Sequence, residues 1–193
     1  MGKVNLATRR LHLSSWRTVD YVLVVATAAV YGAAFLTLAH VKLVPGTNLR
    51  PANALQAVFG ILFGIPGCLG VALGNVMNDV YIGAQALEMP VGALSNFLGA
   101  FIPFLLVSHP ALETRRSFFQ FYVGVVVLTS AVVSASIYVN ALLGLLPPEV
   151  AMTLAIVIFF NQAIPTAVLS PVLLKLLYPF AKRLGLYRGK PVD

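Results

Sequence analysis

The residues of this sequence with the clearest chemical potential are polar side chains inside long apolar segments. Asn75, Asn78 and Asp79 follow the spacing i, i+3, i+4, which puts them on one face of a helix. Further amides interrupt later apolar segments, at Asn96, Asn140, Asn161 and Gln162. Because an uncompensated polar group is costly in hydrocarbon, such residues are candidates for function.

These side chains are suited to holding a small polar solute. Amides donate and accept hydrogen bonds, as the edge of a heterocycle does, and Arg50 and Asp79 can meet opposite charges on a ligand or pair with each other. The alternative for any single Asn is a hydrogen bond between helices, and for Glu88 a solvated loop carboxylate. The predicted substrate-binding residues lie toward one end of the predicted helices: Asn48, Arg50, Asn53, Asn75, Asn78, Asp79, Glu88, Asn96, Tyr138, Asn140, Asn161 and Gln162.

Other chemistries find little support in the sequence. The three histidines have no partner at metal-ligand spacing, so no metal site is expected. The serines in apolar segments lack a matching histidine and acid, so no catalytic residue and no enzyme activity are predicted. Cys68 is the single cysteine, which excludes an internal disulfide. No cofactor is expected.

The composition indicates that these residues belong to an integral membrane protein. Of 193 residues, 59% are hydrophobic and only 10% are charged, whereas a soluble domain has about a quarter charged. The length leaves room for a single membrane domain over residues 1–193. The net charge of +7 predicts basic cytoplasmic loops rather than nucleic-acid binding.

The number of membrane spans depends on residues 52–83, which form either one kinked span or two short ones with a turn at Pro66. With six spans, 11 basic residues lie inside and two outside; with five, four lie inside and nine outside. The positive-inside rule favours six. We therefore predict an all-α bundle of six transmembrane helices with both termini cytoplasmic, over about 20–41, 52–64, 66–84, 91–108, 118–146 and 150–181.

Three further features concern the first helix, the last helix and the tail that follows it. Ala29 and Ala33 on the first helix are spaced i, i+4 within a run of small residues, which allows close approach of another helix, from a partner or from the same bundle. Pro165, Pro171 and Pro179 predict kinks or a broken end in the last helix. The tail 182–193 is expected to be a short interfacial or disordered extension.

The region of residues 48–80 resembles a known family. Asn48-Leu49-Arg50-Pro51-Ala52-Asn53-Ala54-Leu55, followed by Pro66-Gly67-Cys68-Leu69-Gly70 and by Gly74-Asn75, is similar to motifs in the substrate-binding S components of energy-coupling factor (ECF) vitamin transporters, in the branch assigned to queuosine precursors. Asn53 departs from the acidic residue of that branch. The ligand stays open among a deazapurine, a pyrimidine, a flavin and another vitamin.

The resemblance implies a mechanism and partners. An S component of the plasma membrane, embedded in lipid, binds a small-molecule nutrient from outside. It docks through its alanine face, here Ala29 and Ala33, onto a membrane scaffold T protein with two ATPase subunits that drive uptake. The alternatives are a stand-alone homo-oligomeric channel or carrier for small solutes and, with least support, an intramembrane enzyme.

Overall fold

The computed structural model describes residues 16–38, 42–44, 47–48 and 50–191. Five long helices account for most of them: α1 (Thr18–Leu38), α2 (Ala54–Ile82), α3 (Glu88–Leu106), α4 (Arg115–Leu142) and α5 (Pro148–Arg183). A short antiparallel hairpin of β1 (Lys42–Val44) and β2 (Thr47–Asn48) connects α1 to a 3-10 turn at Pro51–Asn53 that leads into α2. Each of the five helices, α2 together with its leading turn, is long and apolar enough to cross a membrane.

The backbone of α2 reverses direction at Gly64. Its dihedral angles there, φ 60° and ψ −139°, interrupt the helix, and the two halves then pack side by side. Gln56 and Asn75 both hydrogen-bond Asn96, at 2.6 and 3.0 Å, although a straight helix would separate the two residues by about 28 Å. We refer to the half over 54–63 as α2a and to the half over 65–82 as α2b.

Local sequence explains why the reversal occurs at this point. A positive φ combined with this ψ is accessible to glycine and strained for residues with a side chain. Pro66 follows within the first turn of α2b, where its missing N–H leaves no helical hydrogen bond unmade. Gly67 lies so near the Phe59 carbonyl that a side chain there would overlap it. The Gly64-Ile65-Pro66-Gly67 run therefore forms a tight helical hairpin.

The contacts of the glycines define the directions of the helices. Along α2a, Gly60 faces Ala100 and Gly64 faces Phe104 of α3, so α2a and α3 run in parallel. Along α2b, Gly70 faces Thr27 and Gly74 faces Gly32 of α1, so these two also run in parallel. We call the end of the bundle with Thr18 and Gly64 the proximal end, and the end with Leu38 and Ile82 the distal end.

The later helices add two observations. The middle of α4, Gln120–Thr129, winds in wider π-type turns, a form that is rare over such a length. The last helix α5 continues through Pro165, Pro171 and Pro179 to Arg183, so the predicted broken end does not occur. The tail prediction also requires correction, because residues 184–190 fold back onto the proximal end, as described below.

The hydrophobic core surrounds the helical hairpin. Val58, Leu62, Cys68 and Val71 of α2 are fully buried within it. α2 is the most buried of the five helices. In its most apolar segment 72% of the residues are buried in the bundle, against 22% in α4 and in α5. Its amide side chains Gln56, Asn75 and Asn78 are therefore buried at the centre of the bundle.

Candidate functional site

The centre of the site is a triangle of hydrogen bonds between three helices. The Tyr31 hydroxyl of α1 donates to Asn96 Oδ1 of α3 at 2.7 Å. Gln56 Nε2 of α2a donates both to the Tyr31 oxygen at 2.8 Å and to the same Asn96 oxygen at 2.6 Å. Tyr31 and Gln56 are 0 and 1% exposed. Side chains from α1, α2a and α3 are therefore joined directly by hydrogen bonds in the core of the bundle.

The triangle extends toward the distal end through α2b. Asn96 Nδ2 donates to Asn75 Oδ1 at 3.0 Å, and Asn75 Nδ2 donates to Asp79 Oδ2 at 2.6 Å. Asp79 is only partly buried, three residues before α2b ends at Ile82. The chain of hydrogen bonds thus leads from a half-exposed carboxylate into the middle of the bundle.

The triangle extends in the opposite direction to α5. Gln162 Nε2 donates to Gln56 Oε1 at 2.9 Å and lies 3.4 Å from the Thr166 hydroxyl. Gln162 is fully buried, yet its own Oε1 has no hydrogen-bond partner among the residues that the structure describes. Such an oxygen is an open acceptor, which is costly unless a donor reaches it. We call the set Tyr31, Gln56, Asn75, Asp79, Asn96 and Gln162 the amide cluster.

Glycines on α3 make room for these side chains. A Cβ at Gly92 would lie 2.8 Å from Asn75 Nδ2, and a Cβ at Gly99 would overlap Gln56 Oε1. These two glycines precede and follow Asn96 by about one helical turn, so all three lie on one face of α3. On this face of α3, Asn96 lies between the two glycines. The space beside the glycines accommodates the amides of Gln56 from α2a and Asn75 from α2b.

Charged residues surround the distal end of the cluster. Asn78 is buried beside Asp79, and the charges of Glu88 and Arg50 lie close enough to act on the Asp79 carboxyl. The Arg50 guanidinium lies 5.1 Å from the centre of the Phe35 ring, which is a cation–π contact. Among the described residues, Arg50 and Asp79 form no ion pair within 4 Å. The alternative of a mutual salt bridge is therefore not what the structure has.

Asn53 and Asn161 meet beside the cluster. Asn53 Nδ2 donates to the backbone carbonyl of Asn161 at 3.2 Å, so this pair connects the start of α2 with α5. Asn48 is the last residue of β2. Its predicted contact with a ligand depends on its side chain, which lies outside the described part of the chain.

Tyr138 and Asn140 do not join the cluster. Tyr138 lines a separate cavity of about 270 Å³ between α4 and α5, with Ser134, Ala155, Ile156, Phe159 and Phe160. Tyr138, Ile156 and Phe160 are exposed, so this cavity lies on the outer surface of the bundle. The buried Oδ1 of Asn140 has no hydrogen-bond partner within the described part of the chain. Their grouping with the other predicted residues rested on depth along the helices, and the rotation of α4 separates them.

Two members of the cluster, Gln56 and Tyr31, are not among the residues predicted from the sequence. Gln56 is an amide within the apolar segment 52–63, so the criterion that singled out Asn75 applies to it equally. Tyr31 gave no such indication, because tyrosine is common in membrane helices and its partners are 25 and 65 residues away. Gly92 and Gly99 could be recognised only once the partner helix was known.

The predicted docking residues lie on the opposite side of α1 from the cluster. Ala29 and Ala33 are exposed, together with Val22, Val25, Ala26 and Val30. A different small-residue pair, Ala28 and Gly32, packs inward on Gly74. The small-residue surface is thus divided, and the part that carries Ala29 and Ala33 is not covered by any of the residues that the structure describes.

Neither a metal cluster nor a relative identifies this site. Within residues 16–38 and 50–191, no three His, Cys, Asp or Glu side chains come together in a way that would hold a metal ion. Comparison of the chain with protein-family models, with curated proteins and with solved structures gave no match.

Proposed function

We propose that this chain is a solute-binding subunit of the plasma membrane, and that the amide cluster binds a small heterocyclic nutrient that enters from the distal end. The observation that supports it is the buried series of hydrogen bonds from Asp79 through Asn75, Asn96 and Gln56 to Gln162. Buried polar groups of this number are expensive in a membrane and mark ligand or ion sites.

The cluster has the chemistry of a recognition site for a neutral or weakly basic ring. Its side chains offer both amide donors and amide acceptors, and Gln162 Oε1 accepts no hydrogen bond from any described residue. A ligand with N–H groups can bond that oxygen and the Asp79 carboxylate while it exchanges partners with the amides. A lone structural salt bridge or one interhelical amide pair would not require this arrangement.

In this proposal the bundle crosses the membrane six times, with both termini cytoplasmic. The reversal at Gly64 divides the apolar stretch Pro51–Ile82 into two antiparallel crossings. The proximal end then carries Arg115, Arg116, Lys182 and Arg183, and a basic end is the cytoplasmic one. The first of the two crossings, α2a, is short. The β-hairpin that precedes it connects α1 to α2a on the distal side.

The exposed alanine face supports the assignment as an S component of an ECF-type importer. Ala29 and Ala33 present a flat surface on which a helix of a scaffold T protein can pack closely. Two ATPase subunits bound to that scaffold would supply the energy, since the chain has no glycine-rich phosphate loop of its own. The chain itself acts in binding, and catalysis belongs to its partners.

The same face supports the second candidate, a homo-oligomeric channel or carrier, because a second copy of α1 would fit it equally well. Reconstitution in liposomes distinguishes the two. An S component alone binds solute and shows no sustained flux, and it transports only when the scaffold, the ATPases and ATP are added. Flux of solute through the purified chain alone would instead support the channel or carrier.

A further inference from the structure

The residues that follow α5 form an ordered segment across the proximal end of the bundle. At Gly185 the backbone has φ 68° and turns back. The N–H groups of Leu186 and Tyr187 both donate to the Ala181 carbonyl, at 2.8 and 3.1 Å, which closes the C-terminus of the helix. The Tyr187 ring then packs edge-on against Tyr178, with 5.3 Å between ring centres.

This segment binds three other elements of the bundle. Arg188 Nε forms an ion pair with Asp20 Oδ1 in the first turn of α1 at 2.5 Å. The backbone N–H of Arg188 donates to the Leu62 carbonyl at 2.8 Å, just before the reversal of α2. The Lys190 ammonium donates to the Leu105 carbonyl at the end of α3. Both carbonyls lie in the last turn of a helix, where carbonyl groups have no hydrogen-bond donor within the helix itself.

The fit is tight on both sides of the segment. A Cβ on Gly64 would lie 2.6 Å from the Arg188 carbonyl oxygen, and a Cβ on Gly189 would overlap the Ile61 carbonyl. Burial, together with the nearby charge of Arg116, holds the pKa of Lys190 below its ordinary value. Asp20 and Arg188 are themselves largely buried, with 10 and 18% of their side chains exposed.

We propose that residues 184–190 are a latch that keeps the proximal end of the bundle closed, with the Asp20–Arg188 pair as its releasable bond. The Arg188 side chain holds α1 while its backbone N–H holds the reversal of α2, so breaking the ion pair releases α1 from the segment that covers this end. Removing one partner of a buried pair leaves an uncompensated charge and favours the open form strongly. If the proposed function holds, solute leaves through this end after the latch opens, and only this exit route depends on that function.

Cys68 provides a direct measure of latch opening. It is the single cysteine of the sequence, it is fully buried, and it lies about one turn beyond Gly64. The rate at which a maleimide modifies Cys68 in the detergent-solubilised full chain reports exposure of the core beneath the latch. The rate requires no ligand, so the test is independent of the proposed function.

We expect Arg188→Gln and Asp20→Asn each to speed Cys68 modification by about tenfold or more, the ratio that 1.4 kcal/mol corresponds to. The double variant should be no faster than either single one, because both remove the same bond. Lys182→Gln, which changes an exposed cation on the last turn of α5, is the matched control and should keep the wild-type rate.

The exchanged variant, Asp20→Arg with Arg188→Asp, separates loss of the latch from loss of the fold. Restoration of slow modification in it supports the latch even if a single variant unfolds. Modification of Cys68 at the wild-type rate in folded Arg188→Gln protein would overturn the proposal. So would an equal acceleration by Lys182→Gln, because the effect would then come from charge alone.

Discussion

The Tyr31 hydroxyl lies 2.7 Å from Asn96 Oδ1, which ties α1 into the centre of the amide cluster. The same helix exposes Ala29 and Ala33 on its other face. One helix therefore separates the predicted solute site from the predicted partner surface. The two can be perturbed independently, because Tyr31 is fully buried whereas Ala29 and Ala33 are exposed among the described residues.

Tyr31→Phe removes one hydroxyl and leaves the ring in place. Asn96 Oδ1 then loses a donor, and Gln56 Nε2 loses one of its two acceptors. We expect the free energy of unfolding to fall by roughly 0.6–2 kcal/mol, the range for hydrogen bonds between membrane helices. Denaturant unfolding in mixed micelles measures it. Tyr21→Phe, on an exposed tyrosine of the same helix, is the control, and an equal loss there would argue against the triangle.

Gly60→Ala tests the close packing of α2a on α3. A Cβ at this position would overlap the Ala100 carbonyl oxygen, which is backbone and cannot rotate away. We expect a loss of roughly 1–3 kcal/mol in stability, or failure to fold. Gly124→Ala serves for comparison, since its new methyl would meet only the flexible end of Leu106. Similar thermal midpoints for the two variants would show that α2a and α3 pack less closely than described.

Ala29→Trp tests the partner surface. The exposed position accepts an indole without strain in the bundle, so folding and solute binding should stay within about twofold of wild type. Uptake with the scaffold and ATPases should be abolished, because a bulky ring holds the helices apart. Val172→Trp, at an exposed position on α5, should leave uptake unchanged. Normal uptake by the Ala29→Trp protein would exclude α1 as the docking helix.

Six crossings and five crossings predict opposite labelling patterns in intact cells. In a background without Cys68, single cysteines replace Leu87 and Glu149 near the distal end and Glu113 near the proximal end, all at exposed positions. With six crossings, an impermeant maleimide modifies the first two and spares the third. If α2 crosses only once, the pattern reverses, with only the cysteine at position 113 modified.

The sequence predicted those features of the fold that depend on one physical rule, such as hydropathy or turn chemistry. Apolar segments of membrane length correspond to the observed helices, and the Gly64-Ile65-Pro66-Gly67 run marked the point where α2 turns. Hydrogen bonds bring Asn75, Asp79, Asn96 and Gln162 into one cluster, and their role in binding a ligand stays a prediction. They share this cluster because polar groups in an apolar core must find one another, which holds whatever the detailed packing.

The remaining features depend on packing between distant segments. Tyr138 and Asn140 lie outside the cluster because the rotation of α4 about its axis is set by its neighbours. The latch could not be foreseen, since Asp20 and Arg188 are 168 residues apart, and a short polar tail has no periodicity from which folding back can be inferred. Long-range ion pairs of this kind become visible only in the folded chain.

Native mass spectrometry of the gently purified protein, produced in the organism that encodes it, tests the central claim most directly. We predict a bound heterocycle of nutrient size on the wild-type chain and on Asn140→Ala, which alters an amide outside the cluster. The variant with Asn75→Ala and Asp79→Asn should be folded and free of that molecule. Retention of the same ligand by the folded double variant would contradict the amide cluster as its binding site, and a ligand-free homo-oligomer of the wild type would favour the channel.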